Sequence, residues 1–195
     1  MYNKFFKRLI DVVLSFIGLI FLSPVLLIIA IVIKIDSKGP ILFKQKRIAK
    51  GKKHFQILKF RTMYADVPKD VPTHLLSDPD SKITKVGHFL RKSSLDELPQ
   101  IWNIFVGEMS IIGPRPALWN QFDLIEERDK YGANDIRPGL TGLAQVMGRD
   151  ELPIDVKAKY DGEYAQNITF LRDLKIFFKT IANVVVAEGV KEGKQ

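Results

Sequence analysis

The sequence contains no cysteine, which excludes disulfides, thiolate metal ligands and a thiol nucleophile, and which suits a reducing compartment. Histidine is scarce: His54, His74 and His88 are scattered without ligand spacing, so a zinc centre is not expected. Acidic residues are also in deficit, 22 against 30 basic ones, leaving a formal charge of +8. That excess calls for a negatively charged partner, whether nucleic acid, an anionic membrane face or phosphorylated substrates. The interleaved exposed aromatics of a single-strand binder are lacking, which argues against nucleic acid. With 195 residues, the chain has material for one ordinary domain and an appendage.

What is abundant is a long apolar run. Residues 1–8 (MYNKFFKR) form a basic, aromatic lead-in, and residues 9–33 are apolar almost throughout, with Asp11 as the single charge. As one straight helix this run would be roughly 37 Å long, more than the ~30 Å of a hydrocarbon core. It is too long, and lacks the small-residue cleavage site, for a signal peptide. Ser23 and Pro24 fall near its middle, where proline removes one helical hydrogen bond and clashes with the preceding turn. Two readings stay open on these residues alone. One is a kinked spanning helix, since proline is tolerated in membrane helices. The other is a re-entrant hairpin broken at Ser23-Pro24, each arm ~20 Å long and too short to span. The second accounts for Lys4, Lys7 and Arg8 at one end and Lys34 and Lys38 at the other, because cytoplasmic-side cations then flank both ends.

After Gly39-Pro40 the pattern shortens. Residues 41–48 and 54–62 read as a β-hairpin around Lys50-Gly51-Lys52, with Phe55 and Ile57 alternating against Gln56 and Leu58. Lys59 and Arg61, bracketing Phe60 at strand period, point to one side and are candidate phosphate contacts. Residues 66–80 are rich in proline and aspartate and read as a surface loop. A short helix over about 83–92 follows, burying Val86, Phe89 and Leu90 and carrying Arg91 and Lys92 in its last turn.

The central stretch, residues 93–116, reads SSLDELPQIWNIFVGEMSIIGPRP. It sets the adjacent carboxylates Asp96 and Glu97 at the mouth of a helix and returns through a strand-like MSII to a turn holding Arg115 between two prolines. Ser94 and Glu97 match a capping box, but that register places Pro99 where its ring begins to clash. If Asp96 is the cap, Pro99 falls in the first turn, where it is acceptable. The helix then runs to about Val106, burying Leu98, Ile101, Trp102 and Phe105, and ends at Gly107. Either way both carboxylates lie near a helix N-terminus, where the dipole favours ionisation. Adjacent residues do not project in parallel, so the pair suits a metal-assisted nucleophile with a helper better than a glycosidase pair. A further helix is expected from 117 to about 130. The glycine-dense stretch 137–149, bracketed by Arg137 and Arg149, reads as a loop whose amides approach phosphate oxygens. The tail, 169–187, places Phe170, Leu174, Phe177, Phe178, Ile181 and Val185 at helical spacing opposite Arg172, Lys175 and Lys179, either as a core stripe or as a face in the lipid interface.

Ser23-Pro24, Lys59-Phe60-Arg61-Thr62-Met63, the SLDELPQ run at 94–100, Gly107-Glu108-Met109-Ser110, Gly113-Pro114-Arg115-Pro116, Arg137-Pro138-Gly139 and Gly142-Leu143-Ala144-Gln145-Val146 together resemble the bacterial sugar transferases. More narrowly, they resemble the small monotopic polyprenol-phosphate phosphoglycosyl transferases, over essentially the whole chain. The resemblance implies an α+β protein with a re-entrant membrane helix (1–38) and a cytoplasmic catalytic domain (39–195) whose amphipathic helices lie at the bacterial inner membrane. It implies transfer of a sugar 1-phosphate, an N-acetylated hexose by expectation, from a UDP-sugar to polyprenol (undecaprenyl) phosphate with release of UMP. Asp96 would be the nucleophile of a ping-pong reaction through an aspartyl-phosphosugar intermediate. Glu97 would assist, and Mg²⁺ would be held by Asp96 and Glu97. Lys59, Arg61, Arg91, Arg115, Arg137, Gln145 and Arg149 would contact the substrates. The partners implied are the UDP-sugar, polyprenol phosphate and membrane lipids; a homodimer is left open. The competing readings are a membrane-tethered basic binding protein for anionic lipid or nucleic acid, and a UDP-sugar diphosphate hydrolase.

Overall fold

The computed structural model describes residues 2–67, 78, 80–148 and 152–186. A π-helical turn, Tyr2–Phe6, leads into α1, Lys7–Asp36. Strands β1 (Leu42–Ile48) and β2 (His54–Phe60) form an antiparallel hairpin in which Phe43 faces Lys59, Gln45 faces Ile57 and Arg47 faces Phe55. Next come α2 (Lys85–Lys92), a 3-10 turn (Leu95–Glu97), α3 (Gln100–Val106) and β3 (Ser110–Ile112). The chain continues through α4 (Phe122–Asp129), β4 (Gly139–Thr141), α5 (Leu143–Met147), α6 (Ile154–Gln166) and α7 (Phe170–Val186). β3 and β4 pair in parallel, Ser110 opposite Gly139 and Ile112 opposite Thr141. The result is a mixed helix and sheet protein with a long apolar N-terminal helix. The loop expected over 66–80 lies mostly outside the described residues.

α1 keeps helical structure from Lys7 to Asp36, with Ser23 and Pro24 inside it. Pro24 has no N–H for the carbonyl of Ile20, and the hydroxyl of Ser23 donates to that carbonyl instead, at 2.7 Å. A side chain thus repairs the bond that proline removes, which is how such a helix continues in lipid. The faces of α1 are inverted relative to a water-soluble helix. Leu14, Phe16, Ile20, Phe21, Leu27, Ile28 and Ile31 are exposed, whereas Lys7, Asp11 and Ser15 are buried against the domain.

Both ends of α1 rest on the same domain. At the start, Lys7 Nζ donates to Asp173 at 2.6 Å, Arg8 donates to the carbonyls of Ile104 and Phe105, and Asp11 accepts from the amide of Ile111 at 3.0 Å. In between, Gly18 faces Ile101. At the far end, Ile29 and Ile33 join Phe60 and Leu90 in one cluster, with Leu26, Ala30, Leu95 and Leu98 against it. The residues that carry Asp96 are therefore seated directly on the apolar helix.

Two helix faces differ from the sequence expectation, and in α7 it is the core-stripe alternative that fails. In α2, Gly87 and Leu90 are buried but Phe89 is 64% exposed. In α3, the buried residues are Gln100, Asn103 and Ile104, while Trp102 and Val106 face outward. In α7, Asp173 and Ile176 are buried and Phe170, Leu171, Leu174, Phe177, Phe178, Ile181 and Val184 are exposed. Its apolar stripe is thus not a core stripe. α4 also starts later than expected, at Phe122, because Ala117 and Leu118 are taken into extended structure: Ile48 N donates to Ala117 O at 3.0 Å and Leu118 bridges Arg47.

The glycines of the 137–149 stretch serve backbone packing rather than an open cradle, which corrects that expectation. A Cβ on Gly139 would lie 2.1 Å from Gly113 N, and one on Gly142 would lie 2.1 Å from Gly113 O. The turn carrying Arg115 is pressed against this stretch, with Gly139 N donating to Pro114 O at 2.8 Å and Gly113 N to Thr141 O at 2.8 Å.

Candidate active site

Four elements converge at Asp96 and Glu97. The two carboxylates sit in the 3-10 turn, entered through Ser94 in the left-handed region at φ 57°. Neither expected capping register holds: neither Ser94 nor Asp96 caps a helix, and α3 begins at Gln100 with Pro99 before it. Leu95 and Leu98, packed on the α1 cluster, fix the turn from below. Its carboxylates face the cations of β2, α2 and the 113–116 turn.

Lys59 stands at the end of β2, and its ammonium lies 2.6 Å from Glu97 Oε1 and 3.8 Å from Asp96 Oδ2. Arg115 approaches Glu97 in two-pronged fashion, Nη2 to Oε1 at 2.6 Å and Nη1 to Oε2 at 3.4 Å. Arg91, in the last turn of α2, donates from Nε to Thr62 Oγ1 at 2.9 Å. Gly87 allows that approach, since a Cβ there would meet Thr62 O at 2.0 Å. Lys59, Arg91 and Arg115 all act electrostatically on Asp96.

The two carboxylates are thereby made unlike. Burial would raise Glu97, but Arg115 and Lys59 together outweigh it and hold the group well below the usual carboxylate range. Burial pushes Asp96 up, with the neighbouring charge of Glu97 adding to it and Lys59 opposing. Glu97 is spent on orienting two cations. Asp96, 8% exposed, keeps Lys59 at ion-pair range. A desolvated carboxylate of this kind beside three cations is equipped to meet a phosphorus centre whose oxygens those cations neutralise.

Other expected contacts are placed elsewhere. Arg61 is buried, with Nη2 donating to Ser37 O at 2.8 Å and Nη1 to Lys38 O. It caps the C-terminal end of α1, because the chain leaves β2 at Phe60 and the strand alternation no longer applies. Arg137 donates to Gly107 O at 3.0 Å, at the end of α3 where Arg8 also lies. Gln145 Nε2 donates to Leu140 O at 3.2 Å. Arg149 lies outside the described residues. Among the described residues there is no group of three or more carboxylate or histidine side chains that would hold a metal by themselves.

Several site residues were not found from sequence. Arg47 on β1 is close enough to Arg115 and Glu97 to feel both, and burial, followed by Arg115, brings its guanidinium down to about 10. Its signal was available: Gln45 and Arg47 share the strand face of Lys59's cross-strand neighbour Phe43. Asn103, polar in the middle of an apolar helix, accepts from Leu58 N at 3.0 Å and donates to Gln56 O at 2.9 Å, tying α3 to the strand that carries Lys59. Arg128 and Asp161 form a buried ion pair at 2.6 Å, which distant positions on α4 and α6 did not reveal.

A carboxylate turn ringed by cations thus stands on a domain strapped to an exposed apolar helix. The chain belongs to the bacterial sugar transferase family, whose profile matches residues 2–187. It is 38% identical to the "Exopolysaccharide production protein ExoY" of Sinorhizobium fredii, over 94% of this chain and 87% of that protein. It is also 38% identical to the "UDP-glucose:undecaprenyl-phosphate glucose-1-phosphate transferase" of Klebsiella pneumoniae, over 92% of this chain but 40% of that protein. With the "UDP-N-acetylgalactosamine-undecaprenyl-phosphate N-acetylgalactosaminephosphotransferase" of Aeromonas hydrophila it shares 36% identity, over 96% of this chain and 45% of that protein. It thus spans less than half the length of the latter two relatives.

Proposed function

We propose that the chain is a phosphoglycosyl transferase that moves a sugar 1-phosphate from a UDP-sugar to undecaprenyl phosphate. Asp96 attacks the sugar-side phosphorus of the donor; the bond from that phosphorus to the bridging oxygen breaks, and UMP leaves with the electron pair. The aspartyl-phosphosugar is then attacked by a phosphate oxygen of the lipid, which frees the Asp96 carboxylate and gives the polyprenol diphosphate sugar. A covalent intermediate lets one site serve a soluble donor and a lipid acceptor in turn. The observation that carries this reading is Asp96 itself: buried, unlike Glu97 in its ionisation, at 3.8 Å from Lys59 and held by Leu95 and Leu98 against the apolar helix. A binding module would leave that arrangement idle.

The donor set fits magnesium, which commonly takes one or two carboxylates and completes its shell with phosphate and water oxygens. Asp96 would hold it, with Glu97 beside it, and the ion would supply charge neutralisation across the diphosphate. Lys59, Arg91 and Arg115 do the same work from the protein side, and Lys59 and Arg115 would exchange part of their contact with Glu97 for phosphate oxygens. The sugar is an N-acetylated hexose in this reading, in line with the Aeromonas relative's name, and Trp119, Asn120 and Gln121, next to Arg115, would face it, Leu118 being buried in the core instead.

The membrane reading follows from α1. A helix whose two ends both contact one polar domain enters and leaves through one leaflet, which supports the re-entrant arrangement of residues 1–38 with the catalytic part, 39–195, on the cytoplasmic face of the inner membrane, where UDP-sugars are made. The outward apolar face of α7, flanked by Lys175 and Lys179, suits the interface of an anionic bilayer. Incubation with a UDP-sugar labelled in the sugar-side phosphate, without lipid acceptor, should leave label on the protein and none on Asp96→Asn. Retained turnover in that variant rejects the assignment, and net hydrolysis of the donor without transfer makes the protein a hydrolase instead.

A further inference from the structure

The turn at 113–116 must hold Arg115 steady, yet two of its residues are prolines and lack an N–H. The structure fixes it through its acceptors. Pro114 O takes Gly139 N at 2.8 Å and Ala117 O takes Ile48 N at 3.0 Å. The two carbonyls between them are each held by a guanidinium: Arg115 O by Arg128 Nη2 at 3.0 Å, and Pro116 O by Arg47 Nη1 at 3.0 Å. Four successive carbonyls are thus pinned, two of them by side chains from different elements.

We propose that Arg47 and Arg128 are positioning residues, a two-guanidinium clamp that presents Arg115 to Glu97 and to the diphosphate of the substrate. Each is itself held. Arg128, 3% exposed, donates from Nε and Nη2 to Asp161 at 2.9 and 2.6 Å. Arg47 donates from Nη2 to Gln45 Oε1 at 2.6 Å, and its Nε is buried without a partner. Leaving that N–H unsatisfied costs free energy, which a shorter or singly donating side chain would avoid. What the guanidinium supplies in return is reach to Pro116 O from a strand that also carries Gln45. Neither arginine is required to touch the substrate. Both act through the backbone of the turn, from β1 on one side and α4 on the other.

This inference deepens the proposed function, but its test does not depend on transfer chemistry. Metal-free binding of inorganic diphosphate would be measured by calorimetry for the full chain in detergent, for Arg47→Met, Arg115→Met and the double variant. Arg115→Met should weaken binding by ~10-fold or more, the loss of a hydrogen bond to a charged group. Arg47→Met should weaken it several-fold, and the double variant should bind within about 2-fold of Arg115→Met, because the two act in series. If the double variant instead loses the product of the single effects, Arg47 contacts the anion directly and the clamp is refuted. Unchanged binding in Arg47→Met refutes it as well. Should Arg47→Met fail to fold, Asp161→Asn, which keeps the acceptor but loosens Arg128, is paired with Arg115→Met in the same cycle and judged by the same outcomes. Absence of transferase activity in a protein that shows this coupling would overturn the proposed reaction and leave the clamp standing.

Discussion

Replacing Asp173 by alanine tests whether α1 is held to the catalytic domain by charge. Asp173 lies in α7, buried, and accepts from Lys7 Nζ at 2.6 Å, Tyr2 OH at 2.7 Å and Tyr164 OH at 2.6 Å. Tyr164 can fall back on Ile112 O, 3.3 Å away. Among the described residues Lys7 has no such alternative at hydrogen-bond distance, and its ammonium would be left buried with the Tyr164 ring 5.9 Å away and the more distant field of Asp11. Breaking one side of a buried pair costs about 3–5 kcal/mol. Taking the lower end because Asp11 remains, the loss is ~3 kcal/mol, or about 6–12 °C in apparent Tm for a chain of this size. Intrinsic fluorescence of Trp102 and Trp119 in detergent would follow it, and hydrogen exchange should rise in residues 2–16 and 170–184 while the β1–β2 hairpin stays protected. The pair Lys7→Met with Asp173→Ala should recover much of the loss, since no charge is then stranded. A Tm within 1 °C of the parent for Asp173→Ala, or a double variant as unstable as the sum of the singles, would refute the reasoning.

In metal-free buffer Asp96→Asn should gain stability while losing turnover. Asp96 is raised by burial, so the folded state prefers its protonated form; that contribution is full below the ordinary carboxylate value and is lost as pH rises through the raised one. The variant and parent should therefore melt alike near pH 3.5, and the variant should melt higher at pH 7, by ~1 kcal/mol, the usual size when active-site strain is relieved; equal Tm values at pH 7 would count against a desolvated Asp96. Gly139→Ala should cost about 2–3 kcal/mol, because its Cβ would sit 2.1 Å from Gly113 N and displace the Arg115 turn; urea denaturation would measure it. Ser23→Ala should cost about 1 kcal/mol in a nanodisc by removing the donor to Ile20 O, and a thermal shift below 1 °C would show that the carbonyl finds another partner.

What the sequence made legible, and what it hid, divides along one physical line. The hairpin and the helix-to-strand course of the 93–116 unit depend on local alternation and turn chemistry, and these were readable from Phe55, Ile57, Gly107 and the two prolines around Arg115; the parallel pairing of β3 with β4, between segments far apart in the chain, was not. Lys59, Arg91 and Arg115 were candidate phosphate contacts chiefly through the resemblance; it is the packing of β2, α2 and the 113–116 turn that brings all three to one carboxylate pair. Phe89 of α2 and Trp102 of α3 face outward, and α7 does not take its core-stripe reading, because the rule that an apolar stripe points inward assumes water outside. Here the stripe of Phe170, Leu174, Phe177 and Phe178 is exposed, and it is Asp173 that turns inward to meet Lys7. α1 obeys the same inversion, burying Lys7, Asp11 and Ser15 and exposing Phe21 and Ile28. Long-range pairs such as Arg128 with Asp161 carry no local signature at all.

That inversion bears on the chemistry. If the apolar faces of α1 and α7 lie in lipid, the polar docking contacts between them do not merely attach an anchor; they set the depth at which Leu95 and Leu98 hold the Asp96 turn. On the proposed reaction the lipid phosphate is confined to the headgroup layer, so Asp96 would have to be presented at that depth for the acceptor to reach the phosphorus it carries. Lys7–Asp173 at one end of α1 and Ile33 against Leu90 at the other then work as a depth gauge, and weakening either should slow the lipid-dependent half of the reaction more than formation of the intermediate.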